Sequence, residues 1–457
     1  MSAGPDGKIA ALRKLAADNR MAAFVGSNAV TNIIRIASNL LLTRLLAPET
    51  FGAIGIIMAV QYLLVMVTDM GFNAFVIRSR EGDRLHFLNV VWTVRLVRNA
   101  ALSAVMFAFS GPLAAAFDKP ELQPGIAATA FVLLIDGLRS TSFIVADRQR
   151  RVSFMSALEL VAFIIQTIVA LAAASILHNY WAIVIAIYVN SVILAAFSYV
   201  LFPYGGQKPA FDARILRDLW NFGKFVMPSS AITLVLAMSD RVVIGRSMPL
   251  DAFGLYMLAV SLTTAGRQLI NNWAARLLYP WFAEAARGAP SAVADIYYPT
   301  RRKLSLLLAL VLGGAVGGGE LIARILFDPR YLEAGTYISL LALGPLLALS
   351  TVPAENAVVA LGRVRSTLEA NIVRLVWIAI AAPLGYRFGG MLGLIAAFAL
   401  IELPALVYWF RRLAEARLLD WKEEGLLALA ALAGAAAGYG AQVAADYAMA
   451  NGMLPAL

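Results

Sequence analysis

AAFVGSNAVTNIIRIASNLLLTRLLAPETFG, residues 22–52, joins a long apolar stretch to a short turn. Residues 22–46 suffice to cross a bilayer, which takes about 20 residues of helix. Among the polar side chains within them, Asn28, Asn32, Arg35 and Asn39 recur at spacings of 4, 3 and 4. That is the helical period, so the four share one face. An arginine facing lipid at mid-span costs roughly 2.5–3.5 kcal/mol even on the lenient insertion scale. The stretch therefore predicts a membrane helix whose polar face meets protein or a water-filled cavity.

The rest of the chain agrees with a membrane solvent. Of 457 residues 61% are hydrophobic and 14% charged, and mean hydropathy is +0.75, whereas soluble chains carry about 25% charged residues. There is no cysteine, which excludes disulfides, thiolate metal sites and cysteine nucleophiles. The two histidines, His86 and His178, fall at expected helix ends and do not suggest a metal centre. Residues 1–21 read as a cytoplasmic amphipathic lead-in rather than a cleavable signal, because the apolar run that follows is too long and too polar on one face.

Apolar segments of spanning length fall at roughly 22–46, 51–77, 87–110, 124–146, 153–177, 181–202, 220–245, 252–282, 304–326, 336–361, 367–386 and 391–410. An Ala/Gly-rich segment at 425–446 either adds a thirteenth span or lies in the interface. Basic residues concentrate in alternate connections: Lys8–Arg20, Arg78–Arg84, Arg148–Arg151, Lys208–Arg217, Arg287–Lys303, Arg363–Arg365 and Arg411–Lys422. The intervening connections hold Lys119, Arg246, Arg330 and Arg387. The positive-inside rule then puts the N-terminus in the cytoplasm and fixes the register of the spans.

An internal repeat follows from the opening turn. Arg44-LLAPETFG ends at Phe51-Gly52, and Arg246-SMPLDAFG ends at Phe253-Gly254. Both copies sit in an outside turn between the first two helices of a six-helix half. The expected fold is all-α and polytopic, two six-helix lobes in pseudo-two-fold relation. Its expected divisions are an N-terminal lobe at 22–203, a cytoplasmic linker at 204–219, a C-terminal lobe at 220–412 and a cytoplasmic segment with the extra helix at 413–457.

The polar first helix, RLLAPETFGAIGI at 44–56 and TDMGF at 68–72 together resemble the polysaccharide-exporting flippases. These form the Wzx-like branch of the multidrug/oligosaccharidyl-lipid/polysaccharide exporter superfamily. The resemblance covers about residues 20–412. It implies a MATE-like fold and translocation of a polyprenyl-diphosphate-linked oligosaccharide across the bacterial inner membrane. Polysaccharide polymerase and chain-length proteins are the partners it suggests beside membrane lipid. No cofactor is expected beyond coupling to H+ or Na+, and nothing points to nucleic acid. A cation-coupled multidrug exporter of the same superfamily is the main alternative, and a membrane glycan polymerase the third. No P-loop and no large outer loop with acid/base residues is present, so no enzyme is expected.

The candidate substrate contacts follow from chemistry. Arginine's planar fork suits phosphate and asparagine suits sugar hydroxyls, so Arg35, Asn28, Asn32 and Asn39 are the first set. Ser261, Thr264, Arg267, Gln268, Asn271 and Asn272 form a second stripe on the eighth helix. In the superfamily fold helices 1, 2, 7 and 8 line the gap between lobes, so the resemblance sets Arg35 and Arg267 facing each other. Lys224 lies within snorkelling reach of the cytoplasmic interface on the seventh helix. Asp69, which matches Asn271 under the repeat shift, is a candidate for ion coupling. Asp240 and Arg241, near the outer rim, are candidates for coupling or a gate. Asp136 with Arg139, and Glu320 with Arg324, are spaced to neutralise each other on single helices. Arg95, Arg98, Glu159, Glu355, Arg374 and Glu402 have no such neighbour and call for partners on other helices. Pro228, Pro345, Pro353, Pro383, Pro404 and the GGAVGGG run at 313–319 interrupt spans without marking a hinge.

Overall fold

The computed structural model describes residues 34–149, 152–200, 207–289 and 291–451. Among them the chain is helical, with no strand. Two compact units divide it. One takes the described residues of Met1–Leu46 and Ile56–Leu234, the other those of Ala47–Gly55 and Val235–Leu457.

In the first unit, α1 occupies 34–45 and α2 spans Pro48–Val67, its part from Ile56 onward lying in this unit. The expected continuous second span at 51–77 is interrupted. After Val67 the chain leaves the helix, Gly71 takes φ 69°, and a short α3 runs Phe72–Arg78. The sequence reason is local. The Asp69 carboxylate accepts from the Gly71 N–H at 3.0 Å, a side-chain turn that competes with the next helical hydrogen bond. Then follow α4 (Leu85–Ala108), α5 (Ser110–Ala116), α6 (Gln123–Leu138), α7 (Ser142–Arg148), α8 (Val152–Leu177), α9 (Trp181–Val200) and α10 (Ala213–Ser247). The α10 helix straddles the division at Leu234.

The second unit has its own irregularity. Its helices are α11 (Leu250–Trp273), a π-helical turn at Ala274–Leu278, α12 (Tyr279–Gly288), α13 (Ala292–Gly317), α14 (Gly319–Leu326), α15 (Ala334–Leu341) and α16 (Leu343–Ala360). The π turn falls just past Asn271, the residue that matches Asp69, so both second helices depart from α geometry near the same place. A further echo was not apparent from the first motif. Phe117-Asp118-Lys119-Pro120 and Phe327-Asp328-Pro329 each lead into a 3-10 turn, each after a long helix and a short one. The last helices are α17 (Arg365–Ala399), α18 (Glu402–Glu415) and α19 (Trp421–Ala450). The α17 helix doubles back at Gly390, φ 58°, which brings the Gly385 and Gly393 backbones into contact.

Among the described residues eight helical stretches are long and apolar enough to cross a membrane, nine if the bent pair α13–α14 is one span. The polar-rich α10 and α11 are not in that set. The Ala/Gly-rich segment forms the 30-residue α19, which packs along α13. Gly313 and Gly317 face the carbonyls of Ala431 and Ala435, while Gly434 and Gly438 face those of Leu310 and Gly314. Small residues let two membrane helices approach at backbone distance. The glycine run at 313–317 is thus packing surface for α19, and the 84° bend comes after it.

Two sets of charged residues find partners other than those their spacing predicts. Glu320 and Arg324 do not neutralise each other. Arg324 pairs with Asp446, and Glu320 accepts from Gln442, because α14 lies beside α19. Arg301, counted among the loop cations, is 2% exposed inside α13. It pairs with Glu424 of α19 and lies 4.7 and 4.8 Å from the rings of Tyr297 and Tyr298. The expected Asp136–Arg139 pair is present at 3.0 Å.

Candidate functional site

In the first unit the described part of the polar stripe holds Arg35 and Asn39 on α1; Asn28 and Asn32 lie outside the described residues. Arg35 is exposed, its guanidinium carbon 5.9 Å from the centre of the Phe163 ring. Asn39 is half-buried, beside the buried Ser38. Lys224 on α10 is exposed and donates to Asn221 at 3.1 Å.

Asp69 sits in the break between α2 and α3. Besides the Gly71 N–H it accepts from the Ser230 hydroxyl at 3.1 Å, which ties the break to α10. Beside it Arg98 donates to the Thr68 hydroxyl at 3.0 Å and to the Val65 carbonyl. A cation at the end of α2 satisfies carbonyls that the break leaves open and suits the negative pole of the helix. Arg98 has therefore found its partners across helices, as has Arg95, which donates to the Arg139 carbonyl.

In the second unit Thr264, Arg267, Gln268 and Asn271 occupy one face of α11, and all but Arg267 are exposed. Arg267 is one-third exposed and is not alone. Its Nη2 donates to Glu402 Oε1 at 2.7 Å. Arg374 on α17 donates to the other oxygen, Oε2, at 2.8 Å, and the buried Thr351 hydroxyl donates to the same oxygen at 2.8 Å. Four helices thus meet at one carboxylate. Glu402 and Arg374 were legible only as charges that needed partners; that each finds the other through Arg267's neighbourhood needs the fold. Glu402 is 2% and Arg374 9% exposed at the side chain, so the cluster holds two guanidinium groups and one carboxylate largely out of solvent.

Asp240 accepts from the buried Tyr256 hydroxyl at 2.7 Å. Tyr256 was not singled out in the sequence, and nothing in its spacing marks it. Arg241 Nη1 lies 2.9 Å from Met238 Sδ, and its Nε is buried without a partner. Among the described residues no group of three metal-ligating side chains comes together.

Within the second unit, Arg267 brings one partly exposed guanidinium beside the exposed amides of Gln268 and Asn271, with Glu402 already engaged. A family model described as "Polysaccharide biosynthesis protein" matches residues 41–335. The chain is 23% identical over 303 residues to the teichuronic acid biosynthesis protein TuaB of Bacillus subtilis, covering 65% of this chain and 62% of that one. It is 23% identical over 308 residues to the succinoglycan biosynthesis transport protein ExoT of Rhizobium meliloti, covering 66% and 61%. The matched region thus spans about three-fifths of the length of both relatives. Among solved structures, one described as lipid II flippase MurJ in an inward closed conformation superposes with a TM-score of 0.75 at 12% identity, covering 90% of each chain. An inward-facing multidrug resistance MATE family transporter gives 0.63 at 13% identity, covering 89% and 98%. Those two likenesses establish the fold, an all-α polytopic membrane architecture of the MATE-like type.

Proposed function

The chain belongs to the polysaccharide biosynthesis protein family, and from that premise we propose that it is a flippase for a lipid-diphosphate-linked oligosaccharide. It works by alternating access in the bacterial inner membrane, with its N-terminus in the cytoplasm. The relatives' names place one in teichuronic acid biosynthesis and the other in succinoglycan biosynthesis transport. The observation that carries the reading is the Arg267–Glu402–Arg374 cluster. Two cations on one carboxylate leave a net positive charge among packed helices, α16, α17 and α18 of which belong to stretches apolar enough to cross a membrane. Uncompensated charge there is costly, and such residues mark a polar ligand's path.

A diphosphate supplies the missing negative charge. Arg267 and Arg35 are the groups for it, since a guanidinium donates paired hydrogen bonds and stays charged. Asn39, Gln268 and Asn271 offer amides that both donate to and accept from sugar hydroxyls. The lipid tail stays in the bilayer while the headgroup crosses. A drug exporter taking cations needs open carboxylates, whereas Glu402, Asp69 and Asp240 already accept hydrogen bonds from this chain's own side chains. Asp69, in its helix break, remains the candidate for coupling to H+ or Na+.

The test is translocation in reconstituted vesicles of a fluorescent polyprenyl-diphosphate oligosaccharide, read by its accessibility to an impermeant quencher. The full chain accelerates crossing, and Arg35→Ala, inserted at normal level, abolishes it. Normal transport by Arg35→Ala refutes Arg35's role, and transport of cationic dyes in place of the glycolipid refutes the reading itself.

A further inference from the structure

The cluster at Glu402 contains more than an anion site needs, and the surplus has a use. If Arg267 were the sole partner of Glu402, turning it toward a ligand would strand a buried carboxylate without a counter-charge. Removing one partner of a buried pair is far more costly than never having had the pair. Arg267 would then be locked in place, and a poor ligand for anything else.

Here Glu402 is held twice. Arg374 engages Oε2 at 2.8 Å, Thr351 donates to the same oxygen at 2.8 Å, and Arg267 engages only Oε1, at 2.7 Å. Arg374 is itself fixed by a bond from Nη1 to the Asn371 side chain at 2.8 Å, and it is 93% buried. Among the described residues no second carboxylate lies within 4 Å of Arg267 or Arg374. Arg267 is the exposed member, at 34% of its side chain, and a guanidinium has five N–H donors of which Glu402 takes one.

We propose that Arg374 is a positioning residue that makes Arg267 releasable: it keeps Glu402 neutralised when Arg267 turns from the carboxylate to a diphosphate. Arg267 then moves between two anions at little cost, toward the ligand on loading and back to Glu402 on release. Glu402 competes with the ligand and so aids release; Arg374 sets how strongly it competes. This rests on the reading above that the headgroup carried is a diphosphate.

The experiment uses the purified full chain in detergent, with farnesyl diphosphate as the probe, binding read by calorimetry at fixed ionic strength and folding by thermal unfolding. Arg374→Met is expected to weaken binding tenfold or more while the melting temperature stays level or rises, because the remaining Arg267–Glu402 pair is neutral. Arg374→Lys restores most of the affinity. Adding Glu402→Gln to Arg374→Met frees Arg267 again and recovers binding. A merely structural role for Arg374 would lower the melting temperature, and the second substitution would not repair it. Binding by Arg374→Met at the unsubstituted level overturns this proposal alone. Failure of the unsubstituted chain to bind the diphosphate overturns both this proposal and the function on which it rests.

Discussion

At Arg301 a guanidinium sits 2% exposed between Glu424 and the faces of two tyrosines. Its carboxylate partner also accepts from Ser350 at 2.7 Å and from Tyr298 at 3.1 Å. Breaking such a pair from one side leaves an uncompensated buried charge. Glu424→Ala is therefore expected to cost about 3–5 kcal/mol. Replacing both charges at once, Arg301→Met with Glu424→Leu, is expected to cost much less than the sum of the single changes, which a thermal-denaturation double-mutant cycle checks. Additive losses would mean that the two residues act separately. The sequence could not announce this pair, because its members are 123 positions apart and Arg301 stands among basic residues that read as a solvated loop. The same limit applies to Arg267, Arg374 and Glu402. Each was legible as a charge in an apolar run, but which helix supplied the answer was not. Where the spacing was short, as for Asp136 and Arg139, the pairing could be read directly.

Among elements, the repeated turn is where reading the sequence reached furthest and still missed the purpose. Its two copies, Pro48–Gly52 and Leu250–Gly254, pack reciprocally within the second unit. A Cβ on Gly52 would strike the Leu250 carbonyl, and a Cβ on Gly254 would strike that of Pro48, the residue matching Leu250 under the repeat shift. The motif ends in glycine because two helix starts cross there at backbone distance. Gly254→Ala must push the backbones apart, and overpacking of this kind costs about 1–3 kcal/mol. Gly288→Ala, where a Cβ meets nothing within 4 Å, is the control and is expected to be neutral. Equal melting temperatures for the two variants would contradict the crossing. Duplication was visible as a pattern of letters; the contact between the copies follows from the fold alone. The break at Asp69 was hidden for the opposite reason. The surrounding residues are apolar enough to continue a helix, and one side-chain turn outweighs that propensity.

For the molecule as a whole, the open question from hydropathy was whether the Ala/Gly-rich C-terminal segment crosses the membrane. Its composition made it ambiguous, since alanine and glycine are weakly apolar and equally at home in an interfacial helix. The packing argues for crossing. The helix is 30 residues long, more than the roughly 20 a bilayer requires. It lies along α13 from Glu424 at one end to Asp446 beyond the bend at the other, where Arg324 of α14 receives it. An interfacial helix would keep one polar flank, but Leu429, Leu432, Tyr439, Val443 and Tyr447 are all exposed, and the Gly/Ala face meets α13. On the register that the basic connections predict, with a cytoplasmic N-terminus and twelve spans ahead of it, a thirteenth span puts residue 451 outside. A reporter enzyme active only outside the cytoplasm is expected to be silent when fused after Arg412 and active when fused after Asn451. Silence at both positions would lay α19 in the interface, and activity at both would invert the register that the basic loops set.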